Sequence, residues 1–230
     1  MKALALSLFV LSFSAQAGLR DVEFIEQPGA ELPLNVEFRE DGRPAPLHRY
    51  FGRSPVVIEL GYLSCLHLCS TTRMGVMEVL SRTGLEAGRD YTALFVSIDP
   101  RDESGPPQRR EGWHVLTGAT PAAVLAGRIG FRYGYEAASG EFAHPAGFVV
   151  VTPEGRVAQY FGGVRFDAQA VREALVAAAN GRKPSVIERV LLVCFHDPVS
   201  GRYNSAILDA LRVAAALFLA ALAFFAWRRR

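Results

Sequence analysis

An α/β layered domain is the fold class the sequence predicts. Three observations carry the prediction: apolar runs of strand length bounded by turn residues, segments of helical period between them, and a closing strand pair followed by a capped helix. With 230 residues, half of them hydrophobic, the chain supports one well-cored domain plus appendages rather than two full domains.

The elements follow in order. Leu34 to Arg39 alternates as a strand, Asp41-Gly42 marks a turn and Ala45-Pro46-Leu47 returns, which makes an N-terminal hairpin. Val56 to Gly61 (VVIELG) is mostly apolar, as a buried strand should be, and leads straight to Cys65. From there to Arg82 the spacing of Cys69, Met74, Met77 and Leu80 suits a helix. Tyr91 to Ile98 (YTALFVSI) is the next strand, ending at Asp99-Pro100. Thr120-Pro121 reads as a cap followed by proline at the first helical position of a segment running to Ile129. Gly147–Thr152 and Arg156–Phe161 flank the turn Pro153-Glu154-Gly155 and therefore pair antiparallel. Asp167 caps a last helix that ends at Asn180-Gly181. Strand, helix, strand, helix, hairpin, helix is the order of a thioredoxin-like fold, here with an extra N-terminal β-hairpin.

The two ends point to export and tethering. Met1-Lys2, the uncharged stretch Ala3 to Ala15, and Ala15-Gln16-Ala17 before Gly18 make residues 1–17 a predicted signal peptide. Residues 18–181 form the domain and 182–205 a juxtamembrane linker. Residues 206–227 are expected to be a transmembrane helix of ~33 Å, because the stretch from Val213 has no polar face. Asp209 and Arg212, three residues apart, pair near the membrane surface. Arg228, Arg229 and Arg230 form a basic tail that the positive-inside rule puts in the cytoplasm, so the domain is expected on the far side of the cytoplasmic (inner) membrane, in the periplasm or outside. The formal net charge is only +2 and the basic residues are scattered, which excludes nucleic acid as an expected partner.

The chemistry concentrates at Cys65 and Cys69, where a central strand gives way to a helix whose N-terminus favours thiolates. Their i,i+4 spacing puts both sulfurs on one face, so they can grip one soft metal ion, with Cu(I) the natural candidate outside the cytoplasm. The same spacing permits a disulfide, since the Cα atoms of a regular helix would be about 6 Å apart. Spacing alone leaves metal and redox work both open. His144 stands just before the predicted strand at 147–152, which in this layer order lies beside the central strand and brings the imidazole toward the cysteine loop. An imidazole suits Cu(II) as well as Cu(I). The competing reading of His144 is a surface-loop histidine hydrogen-bonded locally.

Other groups are weaker candidates. Cys194 and His196 suggest a resolving thiol or a copper relay, or an idle cysteine near the anchor. Met74 and Met77 read as core filler rather than thioether ligands. Asp99, Asp102 and Glu103 read as a solvated loop, and His48 and His114 offer no constellation.

GYLSCLHLCSTT at 61–72, SIDPRDE at 97–103, LTG at 116–118 and FAHPAGFVVVTPEGRVAQYFGG at 142–163 resemble the Sco/SenC copper-chaperone family over residues 30–180. Cys194, Asp197-Pro198, Gly201, Tyr203 and the terminal span resemble a bacterial subgroup with a C-terminal membrane anchor. The resemblance implies a thioredoxin-like fold and service to cytochrome c oxidase. Its copper ligands would be Cys65, Cys69 and His144. The implied partners are oxidase subunit II or another copper acceptor, and a periplasmic thiol reductant. The sequence departs from the family's CPxxCP pattern: Leu66 and Ser70 replace the prolines, and His67 stands where Asp or Glu is common. Ala143-His144-Pro145 replaces an acidic-His-Ser pattern. Pro145 stands where thioredoxins carry a cis-proline facing the active cysteines, and it equally suits the residue leading into a strand. Two functions follow: a copper metallochaperone, or a thiol-disulfide oxidoreductase that keeps the oxidase copper-site cysteines reduced through Cys65 and Cys69.

Overall fold

Asp41 and Gly42 both carry positive φ, 50° and 76°, the pair that a two-residue hairpin turn of right-handed twist demands. They join β1 (Glu37–Glu40) to β2 (Arg43–Pro46), antiparallel with Glu40 opposite Arg43. The predicted strand from Leu34 begins three residues late. Leu34 and Val36 spend their N–H groups on the local carbonyls of Leu32 and Pro33, which is turn bonding rather than a ladder.

The computed structural model describes residues 22–63, 68–102, 111–181, 212–215 and 217, without the side chains of residues 68–70. The expected signal peptide, Cys65, the linker, Cys194 and most of the expected span lie outside the described residues. Residues 212–215 and 217 of that span are helical and exposed. Among the described residues no helix is long and apolar enough to cross a membrane.

Strand β3 (Val56–Gly61) has the bounds the sequence predicts, and all six residues are buried. It is followed by helix α1 (Leu68–Arg82), β4 (Thr92–Ser97), β5 (Trp113–Leu116) and α2 (Ala119–Arg128). Then come β6 (Gly134–Glu136), β7 (Glu141–Ala143), β8 (Gly147–Val151), β9 (Val157–Gly162) and α3 (Ala168–Ala179). The main sheet has the order β5-β4-β3-β8-β9. Strands β3, β4 and β5 run parallel, β8 pairs antiparallel with β3, and β9 pairs antiparallel with β8.

Alternation along β3 sorts the core into two layers. Val56, Ile58 and Leu60 face α2 through Ala122, Leu125 and Ala126, and also meet Phe38 and Leu47 of the N-terminal hairpin region. Val57 faces α1 and α3 through Val76, Leu80, Val171 and Leu175. Helices therefore cover both faces of the sheet, the thioredoxin-like layering expected from element order.

Two local expectations are corrected. Helix α2 starts one residue before Thr120: its cap is Gly118, at φ 135° and with no side-chain cap bond, so Thr120 and Pro121 lie inside the first turn. Proline is tolerated there because first-turn N–H groups have no helical acceptor. Asp99 and Asp102 do not form a solvated loop, since Asp99 is completely buried and both carboxylates are bonded.

Asp167 caps α3 as predicted, its Oδ1 accepting from Gln169 N at 2.7 Å and Ala170 N at 3.2 Å. Asp167→Ala removes both acceptors and is expected to cost about 1 kcal/mol. Thermal denaturation of the full chain should show a midpoint about 3 °C lower.

Candidate functional site

The site is built at the C-terminal end of β3, where the parallel strand hands the chain to α1. Tyr62 and Leu63 leave the strand, Cys65 follows two residues later, and Cys69 is the second residue of α1. A position in the first helical turn puts a thiol where the helix dipole favours the thiolate. The two cysteine side chains lie outside the described residues and atoms. Among the described residues no group of three or more metal-ligating side chains occurs.

His144 arrives from the other side. It ends the β6–β7 hairpin just before β8, and β8 pairs with β3 through Ile58 opposite Val149. That topology seats the half-buried imidazole at the end of the central strand. A Cβ at Gly61 would lie 3.2 Å from Phe95 Cε2 and 3.8 Å from His144 Cε1, so a side chain there would press on Phe95 and come into contact with the imidazole. Tyr62 stands edge-on to the ring with centroids 5.8 Å apart, and Phe131 lies at 5.9 Å. The structure thus brings His144 beside the end of the central strand, as the sequence predicts.

The local hydrogen bond of the competing reading is also present. His144 Nδ1 lies 3.0 Å from the carbonyl oxygen of Pro145. A carbonyl only accepts, so Nδ1 carries the proton and Nε2 carries the lone pair. Such a bond on the far nitrogen is what orients a ligating histidine. Burial holds the imidazole pKa below the ordinary 6.5, with the Pro145 bond opposing the shift. The ring therefore favours the neutral form at neutral pH.

Two aspartates beyond the expected ligands complete the surroundings. Asp102 Oδ2 accepts from the Leu63 N–H at 2.8 Å and from Ser97 Oγ at 2.5 Å. Asp99 accepts from Arg101 Nε and Nη2 at 2.9 and 2.7 Å. Their signal in the sequence was the SIDPRD run directly after a buried strand, a place where loops meet the site end of a parallel sheet. Below α1, Glu59 is 5 % exposed on the face shared with Val57. Burial pushes its carboxyl up to about 8, and the Arg73 cation opposes that shift. Arg73 also caps the Phe95 ring, 4.5 Å from its centroid.

Of the remaining candidates, Met74 is 64 % exposed, not core filler. His114 does belong to a constellation: its Nδ1 lies 2.6 Å from Glu40 Oε1, while Tyr50 donates to Glu40 Oε2 at 2.9 Å. That cluster fixes the N-terminal hairpin to β5. No peptide bond among the described residues is cis, so Pro145 is an ordinary proline leading into β8.

The fold is a thioredoxin-like sheet with helices on both faces, and it carries His144 at the end of its central strand. Solved structures share the fold. One is a SCO1/SenC family lipoprotein from Bacillus anthracis str. Ames, 16% identical, covering 66% of this chain and 98% of its own, with a TM-score of 0.57. Another is Arabidopsis thaliana ScoI with copper bound, 16% identical, covering 67% and 99%, TM-score 0.52. A third is BsSco, a member of the Sco family of cytochrome c oxidase assembly proteins in which a disulfide switch was identified, 16% identical, covering 68% and 98%, TM-score 0.52. No curated protein matches the sequence at a significant level. The SCO1/SenC family model matches residues 38–180, and the chain belongs to that family.

Proposed function

We propose that the chain is a copper metallochaperone in which Cys65, Cys69 and His144 hold the cargo ion, Cu(I) or Cu(II), for delivery to the copper centre of cytochrome c oxidase. The observation that carries the reading is the place of His144: its imidazole sits at the end of β3, where the cysteine segment begins, and its Nδ1 is oriented by the Pro145 carbonyl. The donor set fits copper chemically. Two thiolates suit the soft Cu(I) ion, and an added imidazole accommodates Cu(II). Copper bound to Arabidopsis thaliana ScoI and the oxidase-assembly role of BsSco's family support the same reading. The acceptor is subunit II or another copper site, and a periplasmic thiol reductant keeps the pair reduced. The signal peptide 1–17 and the anchor 206–227 would hold the domain on the outer face of the inner membrane, with residues 228–230 in the cytoplasm.

A second reading is a thiol-disulfide oxidoreductase that keeps the acceptor's cysteines reduced. Cys69 in the first turn of α1 favours it, because a thiolate there is an attacking group. The disulfide switch of BsSco points the same way.

Copper titration of the reduced full chain in detergent, beside His144→Ala, separates the two. The metallochaperone reading expects one copper per chain in the parent. It expects His144→Ala to keep Cu(I) on its two thiolates and to lose Cu(II) affinity by more than about 100-fold, beyond the loss from a residue that only orients a ligand. The absence of stoichiometric copper binding in the parent sinks it. Equal Cu(II) binding by the variant removes His144 from the ligand set.

A further inference from the structure

We infer that the turn Asp99–Asp102 is a clamp that sets the separation between the cysteine segment and His144, with Asp102 and Arg101 as positioning residues; the inference rests on the copper site proposed above. The turn leaves the end of β4 and touches both ligand-bearing segments. On one side, Asp102 Oδ2 holds the N–H of Leu63 at 2.8 Å, two residues before Cys65. On the other, Arg101 Nη2 donates to the carbonyl of Gly140 at 3.2 Å, in the β6–β7 turn four residues before His144.

The turn itself is fixed. Asp99 is fully buried and takes the Arg101 guanidinium through Nε and Nη2, and it also accepts from the Arg101 N–H at 2.8 Å. Ser97 Oγ, at the buried end of β4, donates to Asp102 Oδ2 and accepts from the Asp99 N–H at 3.2 Å. The Asp102 N–H donates to the Asp99 carbonyl at 3.1 Å, closing the turn. One planar guanidinium thus binds a buried carboxylate and a hairpin carbonyl together, a task that suits Arg and not Lys.

Cys65 and Cys69 are four residues apart and need little outside help to meet one ion. His144 is 75 positions beyond Cys69 and must be held against them by contacts such as these. Loosening the clamp should therefore affect the ion state that needs the imidazole and spare the one that needs only sulfur.

The test uses the full chain in detergent, loaded with Cu(I) or Cu(II), as Asp102→Ala, Asp102→Asn and Arg101→Lys. Asp102→Ala is expected to keep one Cu(I) per chain. Its Cu(II) affinity should fall about 10- to 100-fold, and the nitrogen hyperfine signature of the imidazole should weaken. Asp102→Asn, whose amide oxygen can still accept from Leu63 N–H, should restore both. Arg101→Lys, which keeps a cation on Asp99 but lacks the fork to reach Gly140, should weaken the same signature from the histidine side. It supplies the reading if Asp102→Ala does not fold. A purely structural role would lower thermal stability and leave the Cu(II) spectrum of the folded protein unchanged, and that result overturns the clamp. Failure of the parent itself to bind copper overturns the copper site and the clamp with it. An unchanged variant spectrum beside a copper-binding parent overturns the clamp alone.

Discussion

Cys65→Ser and Cys69→Ser are each expected to lower the Cu(I) affinity of the full chain by more than about 100-fold, a larger loss than any change to a residue that merely orients a ligand. A serine hydroxyl is a hard, neutral donor, whereas Cu(I) prefers the soft thiolate. Removing one sulfur leaves a single thiolate and an imidazole, which cannot replace the pair. The two variants should behave alike if both sulfurs bind the ion, and the double variant should lose little more than either single one, because the ligands act as a unit. Competition against a Cu(I) chelator under reducing conditions measures the effect. Retention of parent affinity by either variant would remove that cysteine from the site. The same variants address a duller alternative, in which the thiols only stabilise a loop, since that role predicts retained oxidase assembly in cells.

Glu59→Gln should change the pH dependence of stability by several kcal/mol. Burial under α1 outweighs the attraction of Arg73 and pushes the native carboxyl up to about 8, against 4.5 for an ordinary glutamate. The native state therefore binds this proton more tightly than the unfolded chain does. The contribution to stability is fully present below about pH 4.5 and is lost as the pH rises through about 8. Every pH unit between those two values is worth about 1.4 kcal/mol, so the loss across the window is on the order of 3–5 kcal/mol. A glutamine amide in the same place does not titrate. The stability of Glu59→Gln relative to the parent should thus improve steadily between those pH values and level off above them. Denaturant unfolding at a series of pH values reads the difference directly. Parallel curves for parent and variant would show that Glu59 is ionised throughout and simply paired with Arg73.

How much of this was legible in the sequence depended on whether the signal was local. Val56–Gly61 was readable because a strand buried on both faces must be apolar nearly throughout, and six buried residues bear that out. Asp41-Gly42 and Asp167 were readable because positive φ and unsatisfied first-turn N–H groups select particular side chains. Strand β5 was missed because Trp113 and His114 are only half-buried and the run is four residues long. Strands β6 and β7 are three residues each, with no buried face to impose alternation.

The site divides in the same way. Cys65 and Cys69 were visible as a spacing. The place of His144 required the order of strands, which β8 beside β3 supplies. Asp102 escaped because an acidic turn rich in Asp and Arg reads as solvated until the chain partner 39 positions away is known. Glu59 escaped because one charged residue inside VVIELG looks like a surface position, whereas here a helix covers it. His114 escaped because its partner Glu40 lies 74 positions away, in the N-terminal hairpin.

The central claim is that two thiolates and one imidazole of this chain hold a single copper ion. X-ray absorption at the copper edge of the loaded full chain, in detergent, tests it most directly. Two sulfur neighbours from Cys65 and Cys69 are expected with Cu(I). The Cu(II) form should add an imidazole nitrogen that disappears in His144→Ala. A copper shell of oxygen and nitrogen alone, unaltered by substitution of Cys65, Cys69 or His144, would contradict it.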